Sequence, residues 1–362
     1  MKKIPATVIT GFLGSGKTTL IRHMLENAGG RRIALIINEF GDLGIDKDIV
    51  QGCGIEGCDE DNVVELANGC ICCTVADDFL PVMEALVERD ALPDHIVIET
   101  SGLALPKPLI RAFNWPEIKT RVTVDGVISV VDGPALAAGQ FAANEAQVQA
   151  QRAADTSMSH ENPLEDLFED QLHAADMVLL NKADALHDGE AERLVAELTA
   201  KLRPGVHVVA TRHGNVGVDI LLGLDARAED DLDVRHAHHD HHHDDDDGPD
   251  HDHDHHHEHD HDAFESFIVD VPLQTDPAAL EATLIDLVAH HGILRIKGFV
   301  EVAGKPARHV VQGVGVRFTR YFDRPWGKDE DRQGRLVIIG QAGLDQVAIA
   351  SALNTAQQES AA

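Results

Sequence analysis

The eight residues Gly11-Phe12-Leu13-Gly14-Ser15-Gly16-Lys17-Thr18 are the strongest structural signal in this chain. They have the spacing of a phosphate-binding loop, follow the β-branched stretch 6–10 and lead into a helical pattern over 19–26. In such a loop, glycines turn backbone N–H groups toward phosphates, the lysine reaches the outer phosphates and the last hydroxyl ligates magnesium. We predict nucleotide contacts from Gly11, Gly14, Ser15, Gly16, Lys17, Thr18 and Thr19. Lys17 is also a predicted catalytic residue, and Thr18 a predicted Mg²⁺ ligand.

A second motif, Asn181-Lys182-Ala183-Asp184, follows the apolar strand pattern 177–180 and indicates which base is bound. The Asp184 carboxylate can accept hydrogen bonds from both the ring N–H and the exocyclic amine of guanine, which adenine does not offer together. The aliphatic stem of Lys182 can cover the ring face. We therefore predict that the nucleotide is GTP and that Asn181, Lys182 and Asp184 bind it.

Two further strand patterns end in acidic residues that a nucleotide hydrolase needs. The strand 95–98 runs into Glu99 and then Gly102. Glu99 is predicted to hold the magnesium shell or orient the attacking water, and the Gly102 N–H to sense the γ-phosphate. The strand 33–37 is followed by Glu39, Asp42 and Asp46, which resemble a mobile switch loop. Glu39 is the third predicted catalytic residue, but spacing leaves open which acid approaches magnesium and which completes a metal site.

Cys70, Cys72 and Cys73 lie between these two acidic segments. Three thiols in four positions supply most of a tetrahedral shell for zinc or a similar divalent ion. Cys72 and Cys73 would point to opposite faces of a strand, so joint ligation needs a turn. The fourth ligand stays open between Glu39, another acid, water and a partner. Cys53 and Cys58 leave metal binding, a redox pair and neither role open.

The formal net charge of −32 argues against nucleic acid as a partner, because phosphates demand a basic surface. The charge is uneven: the segment 236–262 contains thirteen histidines and eleven acids, with no lysine or arginine. It has no apolar face to bury, so it is predicted to be a flexible linker. Its imidazoles can collect divalent metal with modest affinity and poor selectivity.

The pattern of strands and helices predicts an α/β fold. We expect a P-loop GTPase domain with a mostly parallel sheet at 1–225, the disordered His/Asp-rich linker at 226–262 and a smaller α+β C-terminal domain at 263–362. No apolar run approaches the roughly twenty residues of a membrane helix, so no membrane insertion is expected. The amino terminus enters a strand rather than a signal segment, and clustered thiols fit a reducing compartment. The expected location is the cytoplasm.

Together these motifs resemble the CobW-type metal-associated P-loop GTPases, relatives of the nickel-inserting GTPases of urease and hydrogenase. The resemblance covers nearly the whole chain and also rests on the carboxy-terminal stretch 320–326. It implies a GTP-hydrolysing metallochaperone that uses GTP, Mg²⁺ and either Co²⁺ or Zn²⁺. The stretches 52–58 and 75–81 are most similar to the branch associated with aerobic cobalamin synthesis. That similarity implies Co(II) delivery to a metal-accepting partner, cobaltochelatase.

Two other interpretations remain open on the sequence. The same machine could carry Zn(II) to a zinc enzyme, since three thiolates suit zinc and divalent affinity orders do not favour cobalt. Alternatively, the histidine segment could store or sense metal, with the nucleotide playing only a regulatory part. Nothing in the C-terminal domain indicates a catalytic centre, so partner docking is its expected role.

Overall fold

The computed structural model of the chain describes residues 3–37, 63–65, 79–154, 164–222, 264–327, 330 and 332–355. Several predicted features lie outside these residues: the switch acids Glu39, Asp42 and Asp46, the cysteines Cys53, Cys58, Cys70, Cys72 and Cys73, and the segment 236–262. The predicted domain boundaries near 225 and 262 also lie outside them.

The first sheet contains seven strands, and every pair of neighbours is parallel. Its strands are β1 (Ile4–Thr10), β2 (Ile33–Ile37), β3 (Val63–Glu65), β4 (His95–Glu99), β5 (Val122–Asp132), β6 (Met177–Asn181) and β7 (His207–Ala210). The strand order is β3-β2-β4-β1-β5-β6-β7. All seven residues of β1 are buried, as expected for a central strand covered on both faces.

Nine α-helices connect or flank these strands in the described part of the first domain. They are α1 (Lys17–Glu26), α2 (Leu80–Val87), α3 (Pro106–Ala112), α4 (Pro116–Lys119), α5 (Gly133–Ala137), α6 (Glu145–Ala154), α7 (Leu164–Ala174), α8 (Glu190–Lys201) and α9 (Val218–Leu222). Alternate strand residues serve opposite faces: Val8 packs in the cluster with α2 and α3, whereas Ile9 packs in the cluster with α1 and α9. None of the described helices is long and apolar enough to cross a membrane.

The second sheet contains five antiparallel strands in the order β11-β10-β9-β12-β8. The strands are β8 (Phe264–Val271), β9 (Ile293–Val300), β10 (Ala307–Val314), β11 (Arg317–Pro325) and β12 (Gly334–Gln341). Two helices, α10 (Pro277–His290) and α11 (Gln346–Thr355), cover one face, where their side chains share a core with Ile296 and Ile338. The predicted fold class, a parallel-sheet GTPase domain followed by a smaller α+β domain, is confirmed.

The opposite face of the second sheet packs onto the first domain. Phe299, Trp326 and Val337 belong to the same apolar cluster as Leu20 and Ile21 of α1. Because α1 begins at the phosphate loop, the helix nearest the predicted nucleotide is part of the core that joins the two domains. We call this shared cluster the junction core.

A buried ion pair also joins the domains. Arg295 of β9 pairs with Asp125 of β5, and both side chains are only 3% exposed. Arg295 also donates from Nη1 to the carbonyl oxygen of Ile220 in α9, at 3.0 Å. A buried ion pair needs close geometry and further hydrogen bonds to offset desolvation, so this contact holds one particular arrangement of the domains.

Candidate nucleotide-binding site

At two positions of the phosphate loop, the backbone conformation and the surrounding atoms leave room only for glycine. It connects the end of β1 at Thr10 to the start of α1 at Lys17. Gly11 and Gly16 have φ of 141° and 105°, in the left-handed region that favours glycine. A Cβ on Gly11 would lie 2.2 Å from the Val130 carbonyl oxygen, and one on Gly16 would lie 2.2 Å from Asn181 Nδ2. The predicted strand, loop and helix are therefore present and tightly wound.

The polar groups of this loop fit the phosphates of a nucleotide. Lys17 is buried, with Nζ 3.4 Å from the Phe12 carbonyl oxygen. Ser15 Oγ is buried and has no hydrogen-bond partner among the described residues, which is rare for a buried hydroxyl unless a ligand completes the site. No side chain caps the first turn of α1, so its N–H groups remain for an anion. Thr18 is partly buried there, and Thr19 is exposed.

The segment after β4 contacts the phosphate loop directly. Glu99, the last residue of β4, is buried, and its Oε1 lies 3.9 Å from Lys17 Nζ. A Cβ on Gly102 would lie 2.8 Å from the Leu13 nitrogen, so this backbone passes close beneath the loop. Gln171 of α7 donates through Nε2 to the carbonyl oxygens of Gly102 and Ala104, at 3.0 and 3.2 Å. Gln171 thus holds this segment in place, a role that no sequence motif indicates.

Asn181 ties the phosphate loop to the segment that follows β7. Its Nδ2 donates to the Ser15 carbonyl oxygen at 2.9 Å, and its Oδ1 accepts from the Gly214 nitrogen at 3.0 Å. Both polar ends of the amide are therefore engaged by backbone groups. This gives Asn181 a positioning role, and its predicted contact with the nucleotide stays a prediction.

Lys182 is held over the loop by a carboxylate that the sequence analysis missed. Lys182 has φ of 59°, and its Nζ donates to the Gly14 carbonyl oxygen at 2.7 Å. The same Nζ lies 2.6 Å from Oδ2 of Asp132, a side chain that is 1% exposed. Asp132 ends β5 and also accepts from the Ala135 nitrogen at 3.1 Å, capping α5. The signal was an apolar strand that ends in an acid before Gly-Pro.

Asp184, the predicted guanine-binding carboxylate, remains accessible. Its side chain is 40% exposed, and Oδ2 lies 3.8 Å from Nε2 of His213, itself an exposed residue with φ of 52°. Asp184 follows Lys182 in a short 3-10 turn, Ala183–Ala185. The base-reading motif and the phosphate loop are thus joined through Lys182 and Asn181, so the two predicted halves of the nucleotide site lie together.

The predicted thiol metal site lies outside the described residues. Within the ranges that the structure describes, no group of three or more His, Cys, Asp and Glu side chains could hold a metal ion. The strands β2 and β3, which precede Glu39 and the three cysteines in the chain, are described, however. Ile37, at the end of β2, is in register with Glu65 at the end of β3 and with Glu99 at the end of β4. The chain therefore leaves β2 and β3 at the sheet edge that carries Glu99 and the phosphate loop.

The parallel sheet, the glycine-dependent phosphate loop and the Asn181–Asp184 motif define a P-loop GTPase. Residues 5–210 match the family model described as CobW/HypB/UreG, nucleotide-binding domain, and residues 264–357 match the cobalamin synthesis protein cobW C-terminal domain. The chain therefore belongs to the CobW/HypB/UreG family, and the family resemblance predicted from the sequence is confirmed.

Curated relatives match the chain over almost its full length. A protein from Sinorhizobium sp, named zinc chaperone CobW, is 51% identical over 351 residues, covering 97% of this chain and 96% of its own. A protein of the same name from Pseudomonas aeruginosa is 55% identical over 360 residues, covering 98% and 92%. Zinc chaperone YjiA from Escherichia coli is 29% identical, covering 94% and 95%. These similarities make the chain a GTPase of the metallochaperone class.

Proposed function

We propose that this protein binds Zn(II) at Cys70, Cys72 and Cys73 and uses GTP hydrolysis to pass the ion to an acceptor protein. The observation that carries the proposal is the register of Ile37 with Glu65 and Glu99. Neighbouring strands are about 4.8 Å apart, so Glu65 lies about 10 Å from Glu99 across the sheet edge. Cys70 follows Glu65 by five residues, which limits their separation to about 18 Å. A thiol site within that distance can respond to the nucleotide.

The residues of the phosphate site have separate roles in this proposal. Lys17 would neutralise charge on the outer phosphates, and Thr18 would help hold Mg²⁺, which supplies further charge neutralisation when bound. Glu99, held near Lys17, would hold the magnesium shell or orient the attacking water. The Gly102 N–H would sense the γ-phosphate, and Glu39 would act from the segment after β2. Gln171 positions the Gly102 backbone.

Coupling between the nucleotide and the metal needs only a modest free-energy difference. The segments that follow β2, β3 and β4 all start at one edge, so contacts to the γ-phosphate can order them together. GTP would favour the tight metal site, and hydrolysis would loosen it. A tenfold to thousandfold weakening corresponds to about 1.4 to 4 kcal/mol in metal-binding free energy.

Zinc is the proposed cargo because two full-length relatives at 51% and 55% identity bear the name zinc chaperone. Three thiolates also match the ligand preference of zinc. Delivery of Co(II) to cobaltochelatase stays a prediction that follows from the family resemblance alone. We place the acceptor's docking surface on the C-terminal domain and the protein in the cytoplasm, where thiols stay reduced.

A competition experiment tests both the metal and the site. The protein, loaded with Mg²⁺ and a non-hydrolysable GTP analogue, is equilibrated with equal Zn(II) and Co(II), and the bound metal is counted. Because the segment 236–262 can also collect metal with modest affinity, weakly held ions are first removed with a chelator. We expect the tightly bound zinc that remains to be lost in Cys72→Ser and retained in Cys58→Ser, the matched control. Binding of cobalt in preference would reject zinc as cargo. Retention of tight binding in Cys72→Ser would reject the thiol motif as the carrier site.

The carrier and storage interpretations predict opposite effects on metal transfer when the histidine segment is deleted. Metal transfer to an acceptor should survive deletion of 236–262 and fail in Cys72→Ser if the thiol site is the carrier. If deletion abolishes transfer while Cys72→Ser leaves it intact, the protein is a metal store with a regulatory nucleotide. The readout is acceptor activity after mixing with metal-loaded protein and GTP.

A further inference from the structure

A basic cavity lies between the two domains, away from the nucleotide site. It has a volume of about 230 Å³ and is lined by Lys107, Ile110, Arg111, His173, Ala174, Arg203 and Arg317. None of the predicted nucleotide or metal residues lines it. Four of its seven lining residues are lysine or arginine, in a chain whose formal net charge is −32. Such a local concentration of positive charge is a specific feature rather than a consequence of composition.

The cations of this cavity are only partly neutralised. Arg203 and Arg317 share one buried carboxylate, Asp176, and Lys107 pairs with Asp170 at 2.5 Å. The guanidinium of Arg111 has no hydrogen-bond or ion-pair partner in the part of the chain that the structure describes. Four cationic side chains of the lining thus have two carboxylate partners between them, which leaves about two positive charges in excess around the cavity. A doubly charged anion would balance them.

Asp176 also holds the two arginines in place for a ligand. It is buried, it accepts from the Val127 nitrogen at 2.9 Å, and it receives Arg203 and Arg317 from different domains. Arg317 donates to it through Nε and Arg203 through Nη2. An arginine has five N–H donors in a planar fork, so each retains donors that can serve an oxyanion.

We propose that this cavity binds a phosphate group, either as the free dianion or as a small phosphate monoester. Arginine forks match the paired oxygens of phosphate, and several charge-assisted bonds to one anion reinforce each other. The volume far exceeds the roughly 30 Å³ that one water molecule occupies in the liquid. The apolar lining residues Ile110 and Ala174 leave room for a short organic part. Because Arg317 belongs to β11 and the other cations to the first domain, the ligand bridges the domains.

The test measures phosphate binding with the GTPase site already filled. The full chain is loaded with Mg²⁺ and a non-hydrolysable GTP analogue, so that the γ-phosphate position is occupied too, and inorganic phosphate and glycerol 3-phosphate are titrated separately at low ionic strength by calorimetry. Saturable one-site binding is expected. Equal affinity for both probes identifies the ion itself as the ligand, and tighter binding of glycerol 3-phosphate identifies a monoester. The absence of saturable binding for both probes overturns the proposal.

Two variants that each remove one positive charge separate a defined site from general attraction. Arg111→Gln should weaken phosphate binding by about tenfold, since it removes one charge-assisted contact. Lys119→Gln, at an exposed position of helix α4 and outside the cavity lining, should leave affinity unchanged. Equal losses in the two variants, or none in Arg111→Gln, would overturn the assignment. Circular dichroism and Mg-GDP affinity, neither of which depends on Arg111, confirm that both variants are folded.

Discussion

Replacement of Arg295 by methionine tests how the two domains are held together. The Arg295 and Asp125 side chains are each 3% exposed, and Arg295 also donates to the Ile220 carbonyl oxygen. Arg295→Met keeps much of the aliphatic stem but leaves Asp125 as a buried charge without its partner. Removal of one member of a buried ion pair costs about 3 to 5 kcal/mol. We expect a loss of that size in the unfolding free energy.

Two control variants accompany Arg295→Met: one breaks an exposed ion pair, and the other removes both buried charges. Arg193→Met breaks an ion pair with Glu197 at 2.7 Å, but those side chains are 48% and 55% exposed, so the expected loss is below about 0.5 kcal/mol. The double variant Asp125→Leu/Arg295→Met removes both buried charges. Since apolar replacement of a whole buried pair is often neutral, it should recover most of the stability lost in Arg295→Met.

Urea unfolding followed by tryptophan fluorescence is a suitable assay. Trp326 is buried in the junction core beside Phe299, with ring centroids 5.4 Å apart. A Trp115→Phe background leaves Trp326 as the single reporter, because the chain has two tryptophans. If Arg295→Met were less than about 1 kcal/mol below its parent, or if the double variant were no more stable than Arg295→Met, the structural role given to this ion pair would be refuted.

Three further predictions concern the nucleotide site and the buried core. Gly16→Ala should lower GDP affinity more than about tenfold in a fluorescent-GDP titration, since its Cβ would lie 2.2 Å from Asn181 Nδ2. Gly29→Ala, also at positive φ but with open space around it, should bind GDP normally. Equal GDP affinity in the two variants would contradict the account. Asp184→Asn should shift hydrolysis from GTP toward XTP, because an amide can donate to the second xanthine oxygen; an unchanged preference would argue against Asp184 as the base reader. Burial lowers the pKa of His95 from 6.5 to about 3, so its contribution to stability is complete above pH 6.5 and is lost as the pH falls toward 3, by about 5 kcal/mol in total. In urea unfolding, His95→Gln should flatten the dependence of the unfolding free energy on pH between 6.5 and 3. Parallel curves for variant and parent would exclude His95 as the source of that dependence.

The local elements of the fold were predictable because their signals are local. The alternating pattern of 264–271 predicts a strand, and the apolar period of 277–290 predicts a helix. The structure has the strand Phe264–Val271 and the helix Pro277–His290, because the signals for both are contained within each segment. The pattern near the carboxy terminus predicts a last helix from about Leu344 to Asn354, whereas the helix in the structure is Gln346–Thr355. Asp345 caps this helix, since its Oδ1 accepts from the Ala348 nitrogen at 2.9 Å. Leu344 therefore lies before the cap, and its N–H donates to the side chain of Glu265, a contact that is distant in sequence.

The partners that organise the site were not predictable from local patterns. Gln171 reaches a backbone 69 residues away, and Asn181 reaches one 166 residues away. The same applies to Asp132 beneath Lys182. Periodicity shows that such positions are buried, but it does not show which distant group satisfies a buried polar atom. The phosphate loop was predictable because its chemistry requires a fixed order of residues that are adjacent in the chain.

The central claim, that the nucleotide controls the metal site, is tested most directly by one comparison of affinities. Zn(II) affinity is measured by competition with a chromophoric chelator for protein loaded with Mg²⁺ and a non-hydrolysable GTP analogue, and again for protein loaded with Mg-GDP. We predict affinity at least about tenfold tighter in the GTP state, with this difference lost in Cys72→Ser. Equal affinity in the two nucleotide states would contradict the claim and leave a GTPase that binds metal without controlling it.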